Sequence, residues 1–222
     1  LCEVEIEFAA DVAPSGKLSL KLLQVRPISS YSAEQEVNFD ELKASLGTLF
    51  LESGKALGNG FVNDVSHIVY IAPDKFNSLS TREIAAELAE INNTFKSRNE
   101  GYILIGPGRW GSSDPNLGIP VIWSDISEAK MIVEYSMPGF QVEPSQGTHF
   151  FQNITSLGVG YLSIDTVAGD GNVDFDALGE LDSEQAMKYA VVLHTEEPIT
   201  AYIERNTNRA LAGIRKNADL QH

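Results

Sequence analysis

The stretch from Ser80-Thr81-Arg82-Glu83-Ile84 through Leu88, Ile91 and Phe95 to Gly101-Tyr102-Ile103-Leu104-Ile105 decides how the chain is to be read. Ile84, Leu88, Ile91 and Phe95 recur at the spacing that lines one face of an α-helix. Ser80 with Glu83 three residues on fits a capping box, in which side chains satisfy amides that a first turn leaves unpaired. The pattern breaks at Asn99-Glu100-Gly101 and gives way to the apolar run Tyr102–Ile105, which reads as a buried strand. That strand opens directly into Gly106-Pro107-Gly108-Arg109-Trp110-Gly111-Ser112-Ser113, and a glycine-rich loop held on a rigid strand is a common place for a site.

Working outward, residues 48–53, 67–71, 130–135, 158–164, 188–194 and 199–204 read as strands, with a glycine-rich loop at 54–60 and a short helix near 147–156. Strands outnumber helices and do not alternate strictly with them. The expected class is therefore α+β, with a mixed or mainly antiparallel sheet and few helices, over residues 40–205. Residues 206–222 are polar and are expected to form a fraying tail. Small polar residues make 31–39 a linker. In residues 1–30, the acidic and apolar alternation of 2–10, the Pro14-Ser15-Gly16 turn and the less regular alternation of 18–27 predict a β-hairpin closed by Pro27. No Met precedes Leu1, and a piece of a longer chain is the expectation.

The 222 residues are 43% hydrophobic, enough for a packed domain, and no apolar run approaches the roughly 20 residues of a membrane span. A net charge of −15 without Lys/Arg clusters argues against binding nucleic acid, where phosphates must be neutralised. Cys2 is the sole cysteine, which excludes an intrachain disulfide framework and fits a cytoplasmic setting.

Three groups of residues could carry chemistry. On the hairpin, a carboxylate on one strand can hold Mg²⁺ on nucleotide phosphates while an amide and a guanidinium on the other contact the same oxygens. Glu3, Glu5 and Glu7 share one face of the first strand and Gln24 and Arg26 one face of the second, although the same pattern also describes an edge hairpin with its acids in water. In the loop, Gly106, Gly108 and Gly111 let backbone amides approach an anion, Arg109 supplies charge, and Ser112 and Ser113 supply hydroxyls. A rigid turn with Trp110 packed down and Arg109 paired to Asp114 reads equally well. The third group is Gln146-Gly147-Thr148-His149-Phe150-Phe151, where His149 is either a core imidazole or, beside the loop, a proton-transfer group.

Glu5-Ile6-Glu7-Phe8 followed by Leu22-Leu23-Gln24-Val25-Arg26-Pro27 resembles the end of the ATP-grasp nucleotide-binding domain in the phosphoenolpyruvate synthase and pyruvate phosphate dikinase family. The resemblance covers about thirty residues. It implies that Glu7 binds metal and nucleotide, that Gln24 and Arg26 line the phosphate site with Arg26 catalytic, and that ATP and Mg are the cofactors of an intact parent. The lysine-bearing half of the family's site would lie upstream of Leu1. None of His67, His149, His194 and His222 sits in the family's phosphohistidine motif. The segments Gly106–Trp123 and Ser145–Asn153 are similar to a C-terminal module of proteins described as phosphoenolpyruvate synthase-like.

These features lead us to expect part of an ATP-dependent phosphotransferase, inactive alone, whose partner is the upstream ATP-grasp domain of the same parent. The competing expectations are a regulatory module that binds a small anion such as phosphate or pyruvate through residues 106–113 and His149, and a non-catalytic interaction or homodimerisation domain.

Overall fold

The computed structural model describes residues 4–27, 37–58, 60–62, 64–141, 143–144, 154, 157–204 and 206–216. The expected short helix near 147–156 lies almost wholly outside the described residues.

Strands β1 (Val4–Val12) and β2 (Leu18–Pro27) form the expected antiparallel hairpin as a separate two-stranded sheet. Its register pairs Glu7 with Gln24 and Phe8 with Leu22, so Leu23 is an extra residue in a β-bulge. The bulge accounts for the imperfect alternation of the second strand.

Helix α1 (Phe39–Ser45) opens the module, its first amides at Asp40 and Glu41 capped by the side chain of Asn38. Strands β3 (Leu46–Ser53), β4 (Lys55–Leu57), β5 (Gly60–Val62) and β6 (Val65–Ile71) follow, so the supposed loop at 54–60 contributes strands to two sheets. Helix α2 (Thr81–Arg98) is the helix foreseen from its periodicity, and it buries Ile84, Leu88, Ile91 and Phe95. The capping box is not formed. Ser80 makes no side-chain cap bond, because a 3₁₀ turn at Ser78–Ser80 runs into the helix, and Glu83 instead accepts from Lys188 and the Tyr189 hydroxyl.

Strand β7 (Gly101–Pro107) is buried at every position. A small parallel pair, β8 (Arg109–Trp110) and β9 (Gly118–Ile119), leads to β10 (Ala129–Ser136), and β11 (Gly160–Asp165) follows. Strand β12 (Gly171–Val173), helix α3 (Phe175–Gly179), β13 (Asp182–Ala186), β14 (Ala190–His194), β15 (Thr200–Glu204) and β16 (Arg209–Arg215) complete the chain.

The class is α+β with few helices, as expected, and two main sheets. The seven-stranded sheet runs β13-β14-β6-β7-β10-β11-β4, and β6, β7, β10 and β11 within it are mutually parallel. The five-stranded sheet, β12-β3-β16-β15-β5, is antiparallel throughout. Side chains such as Phe50, Val62 and Ile203 from the smaller sheet meet Ile103, Val133 and Leu162 from the larger one in a shared core. Helix α2 covers the larger sheet's other face, and α1 packs Phe39 and Leu42 against Tyr202 and Leu211 of the smaller sheet. Parallel strands covered on both faces read as continuous apolar runs, which is the pattern of Tyr102–Ile105. The segment expected to fray contains β16, which lies between β3 and β15 with Ala210, Leu211 and Ala212 buried.

One polar side chain anchors α2. Asn92, fully buried, accepts from the Tyr102 hydroxyl at 2.9 Å and the Glu128 amide at 3.0 Å, and donates to the Ser124 carbonyl and the Ser127 hydroxyl. Each hydrogen-bonding atom of the amide is therefore used. Among the described residues no helix is long and apolar enough to cross a membrane.

Two predictions follow from the packing of α2. Leu88, wholly buried, sits amid the α2–sheet core. Leu88→Ala should lower the calorimetric midpoint by roughly 5–20 °C through the cavity it leaves, and a shift under about 2 °C would contradict the burial. At the end of α2, His67 packs edge-on to Phe95 and beside the His194 ring, with its Nε2 3.3 Å from Glu184. Burial is the largest influence and holds the His67 pKa below 6.5; His194 and Arg98 act in the same direction, while Glu184 and Glu100 oppose them. The folded state thus takes up this proton less readily than the unfolded one. His67 supports stability fully above about pH 6.5, and that support is lost as pH falls from there through its lowered folded pKa. Urea midpoints between pH 8 and 5 should fall less in His67→Gln than in the natural sequence, and parallel profiles would exclude His67 as the cause.

Candidate functional site

In the hairpin, backbone register sets Glu7 opposite Gln24 and Glu5 opposite Arg26. Directly opposed residues of an antiparallel pair, and residues two apart on a strand, share a face, so these four positions lie on one side of the ribbon. The other side carries Ile6, Phe8, Val12, Leu18, Leu20, Leu22 and Val25, all substantially exposed, with Ile6 at 51% and Leu22 at 63%. A ribbon with one polar and one bare apolar face is built to lie against another surface.

In the module, the carboxyl ends of parallel strands point the same way, and ligand sites of such sheets favour that edge. An open cleft of about 320 Å³ lies there, lined by residues that include Lys55, Gly108, Glu134, Ser136, Glu143, Ser163 and Asp165. Its floor follows from register. Glu134 on β10 is paired with Gly106 on β7 and with Ser163 on β11, Ser163 with Lys55 on β4, and Ser136 with Asp165. Paired residues share a face, so Gly106, Glu134, Ser163 and Lys55 make one row across four strands, with Ser136 and Asp165 in the next row.

Each member of this platform is held. The Glu134 carboxylate, 4% exposed, accepts from the Trp110 amide at 3.0 Å and the Tyr161 hydroxyl at 2.6 Å. Asp165 Oδ1 accepts from the Ser136 hydroxyl at 2.8 Å and from the amides of Val167 and Ala168. The Ala168 amide and the Ser136 hydroxyl, helped by the Lys55 charge, hold the Asp165 pKa below its ordinary value and keep it ionised. Lys55 in turn pairs with Asp170, chiefly by a hydrogen bond that raises its pKa. Carboxylates outnumber cations around the cleft.

The glycine loop is a structural wedge. Trp110, 1% exposed, lays its ring over Gly106, where an added Cβ would come within 2.3 Å of it, and its indole N–H donates to the Val133 carbonyl. A Cβ on Gly108 would meet Phe140. The amides proposed to cradle an anion are engaged within the fold: Gly108 donates to the Tyr135 carbonyl, Arg109 to Leu117, Gly111 to Ile119 and Trp110 to Glu134. Ser112 bonds the backbone of Asp114. Arg109 turns to Glu143, donating from Nε to its carbonyl at 2.6 Å, and not to Asp114. Of the residues expected to cradle an anion, Gly106 and Gly108 make room for aromatic rings and the amides of Gly108, Arg109 and Gly111 bond within the fold, in a packed turn that walls the cleft.

His149 and the Gln146–Phe151 motif lie outside the described residues, as do the side chains of Glu7 and Arg26. Glu134, Ser136, Ser163, Asp165 and Lys55 were not singled out in the sequence. Their signal was there as Glu-x-Ser and Ser-x-Asp at the ends of two apolar strands, but only register joins them. Comparison with protein-family models, curated proteins and solved structures returns no match.

Gly106→Ala should displace Trp110 and cost roughly 1–3 kcal/mol by overpacking. In a Trp123→Phe background, the remaining indole emission should shift to the red; an unchanged spectrum and stability would refute the wedge.

Proposed function

We propose that this chain serves an ATP-dependent phosphotransferase resembling phosphoenolpyruvate synthase, contributing one strand pair of the Mg-ATP site and an attached α+β module, and that it is inactive alone. The observation that carries this proposal is the hairpin register. It brings the positions of Glu5 and Glu7 on one strand and of Gln24 and Arg26 on the other to a single face, as a shared phosphate and metal site requires. A carboxylate beside an amide and a guanidinium suits hard-cation and phosphate chemistry. In this arrangement Glu7 holds Mg²⁺, which neutralises phosphate charge, while Gln24 and Arg26 orient phosphate oxygens for in-line transfer. The exposed apolar face supports the same proposal, since it leaves the ribbon in need of a covering layer, which the nucleotide domain would provide.

The alternative of phosphate or pyruvate sensing by the Gly106–Ser113 loop has less support, because the loop amides and Arg109 have partners within the fold. The test is calorimetric titration of Mg-ATP into the chain expressed with an upstream ATP-grasp domain, and into the chain alone. The joined protein should bind, the chain alone should not, and Glu7→Gln should weaken Mg-dependent binding by roughly tenfold or more. Full retention of Mg-dependent binding in Glu7→Gln would overturn the metal role.

A further inference from the structure

The β1–β2 ribbon shares no ladder with either main sheet. Two strands alone are marginal in water and gain stability when a further layer covers their apolar side. On that side four rungs, from Ile6–Val25 at one end to Val12–Leu18 at the other, carry seven large apolar side chains and Ala10, with no charge among them. The seven are exposed by between 49% at Val25 and 65% at Val12. A contiguous apolar surface of this kind marks a place where another surface docks.

Area and charge identify the occupant. At ~200 Å² for a fully exposed residue of this size, those exposures give the face about 800 Å². A stable protein–protein interface buries roughly 800 Å² on each partner, so one identical face supplies what the contact needs. The ribbon is also neutral: over residues 4–27, Glu5, Glu7 and Asp11 are balanced by Lys17, Lys21 and Arg26, although the whole chain carries −15. Two ribbons therefore meet without the repulsion that acts between the rest of the two chains. A lipid surface is a poorer match, because attraction to anionic headgroups needs an excess of bases. Two pleated faces of the same shape stack at ~10 Å, and a two-fold axis brings each rung of one copy against its counterpart or its mirror position on the other.

We propose that two copies of this chain associate through the apolar faces of their ribbons, forming a two-layered, four-stranded contact with two-fold symmetry. The positions of Glu5, Glu7, Gln24 and Arg26 lie on the outer sides of this pair. The contact rests on the apolar face and not on the ATP reading, and a nucleotide domain that covers the face takes the second copy's place.

The test is sedimentation equilibrium of the full chain over about 1–100 μM. A reversible monomer–dimer equilibrium is expected, with a dissociation constant in the micromolar range or below. Phe8→Glu combined with Leu20→Glu places charges in the contact and should weaken it by about 100-fold or more. Leu79→Glu, at a position 89% exposed and outside the ribbon, should leave it unchanged. A second readout does not depend on how the double variant folds: amide exchange of residues 4–27 in the natural sequence should slow as concentration rises, while that of the module stays constant. A chain that is monomeric throughout, a dimer indifferent to the double substitution, ribbon exchange independent of concentration, or binding to phosphatidylglycerol vesicles without self-association would each overturn the proposal. Glu7→Gln leaves the apolar face intact and should not alter the dimer, so failure here is distinguishable from failure of the Mg-ATP site.

Discussion

The arrangement of the cleft depends on one buried carboxylate. Glu134 stands in the middle of a parallel sheet, and it is held by the Trp110 amide and the Tyr161 hydroxyl. A charge there is costly to desolvate, and hydrogen bonds from an amide and a phenol offset much of that cost. The same contact fixes the loop after β7. With its amide on Glu134, its indole N–H on Val133 and its ring over Gly106, Trp110 has little freedom to move. The position of the loop, and so one wall of the cleft, is set by a side chain two strands away from the opposite wall at Lys55.

The layer order explains why polar groups gather at this edge. The larger sheet is covered by the smaller sheet on one face and by α2 on the other, so the middle of each parallel strand has no access to water. Polar side chains are tolerated where the strands emerge, and Ser136 and Asp165 close β10 and β11 there. At the opposite edge a second polar cluster, His67, His194, Glu184 and Arg98, ties β6, β14 and β13 to the end of α2. There Glu184 pairs with Arg98 and lies 3.3 Å from His67.

Elements with a strong internal period were legible from the residues alone. The helical spacing of Ile84, Leu88, Ile91 and Phe95 and the apolar run Tyr102–Ile105 both foretold their elements, because each signal is local. Strand β16 was not legible. Its small residues Ala210, Ala212 and Gly213, flanked by arginines, look like a tail, yet a Cβ on Gly213 would come within 2.3 Å of the Thr48 carbonyl oxygen. Smallness there reflects close packing in the interior of a sheet. Likewise the glycines of residues 106–111 suggested an anion cradle because glycine frees the backbone, whereas Gly106 and Gly108 make room for Trp110 and Phe140. Only pairing distinguishes the two uses.

The hairpin poses a different constraint. Across its bulge the ribbon keeps Ile6, Phe8, Val12, Leu18, Leu20, Leu22 and Val25 on one side, although the Leu22-Leu23 doublet breaks the two-residue period. Were Leu23 a regular ladder residue and not an extra one, Gln24 and Arg26 would fall on the apolar face with Leu22 and the match between Glu7 and Gln24 would be lost, because a one-residue slip inverts every later side chain. The bulge therefore serves two surfaces together: it keeps the apolar face continuous for a covering layer, and it keeps an acid, an amide and a guanidinium position together on the other. A solvated edge strand has no need of such a correction, since either face would be wetted equally. The bulge and the segregated faces are the features of this ribbon on which the proposed function rests.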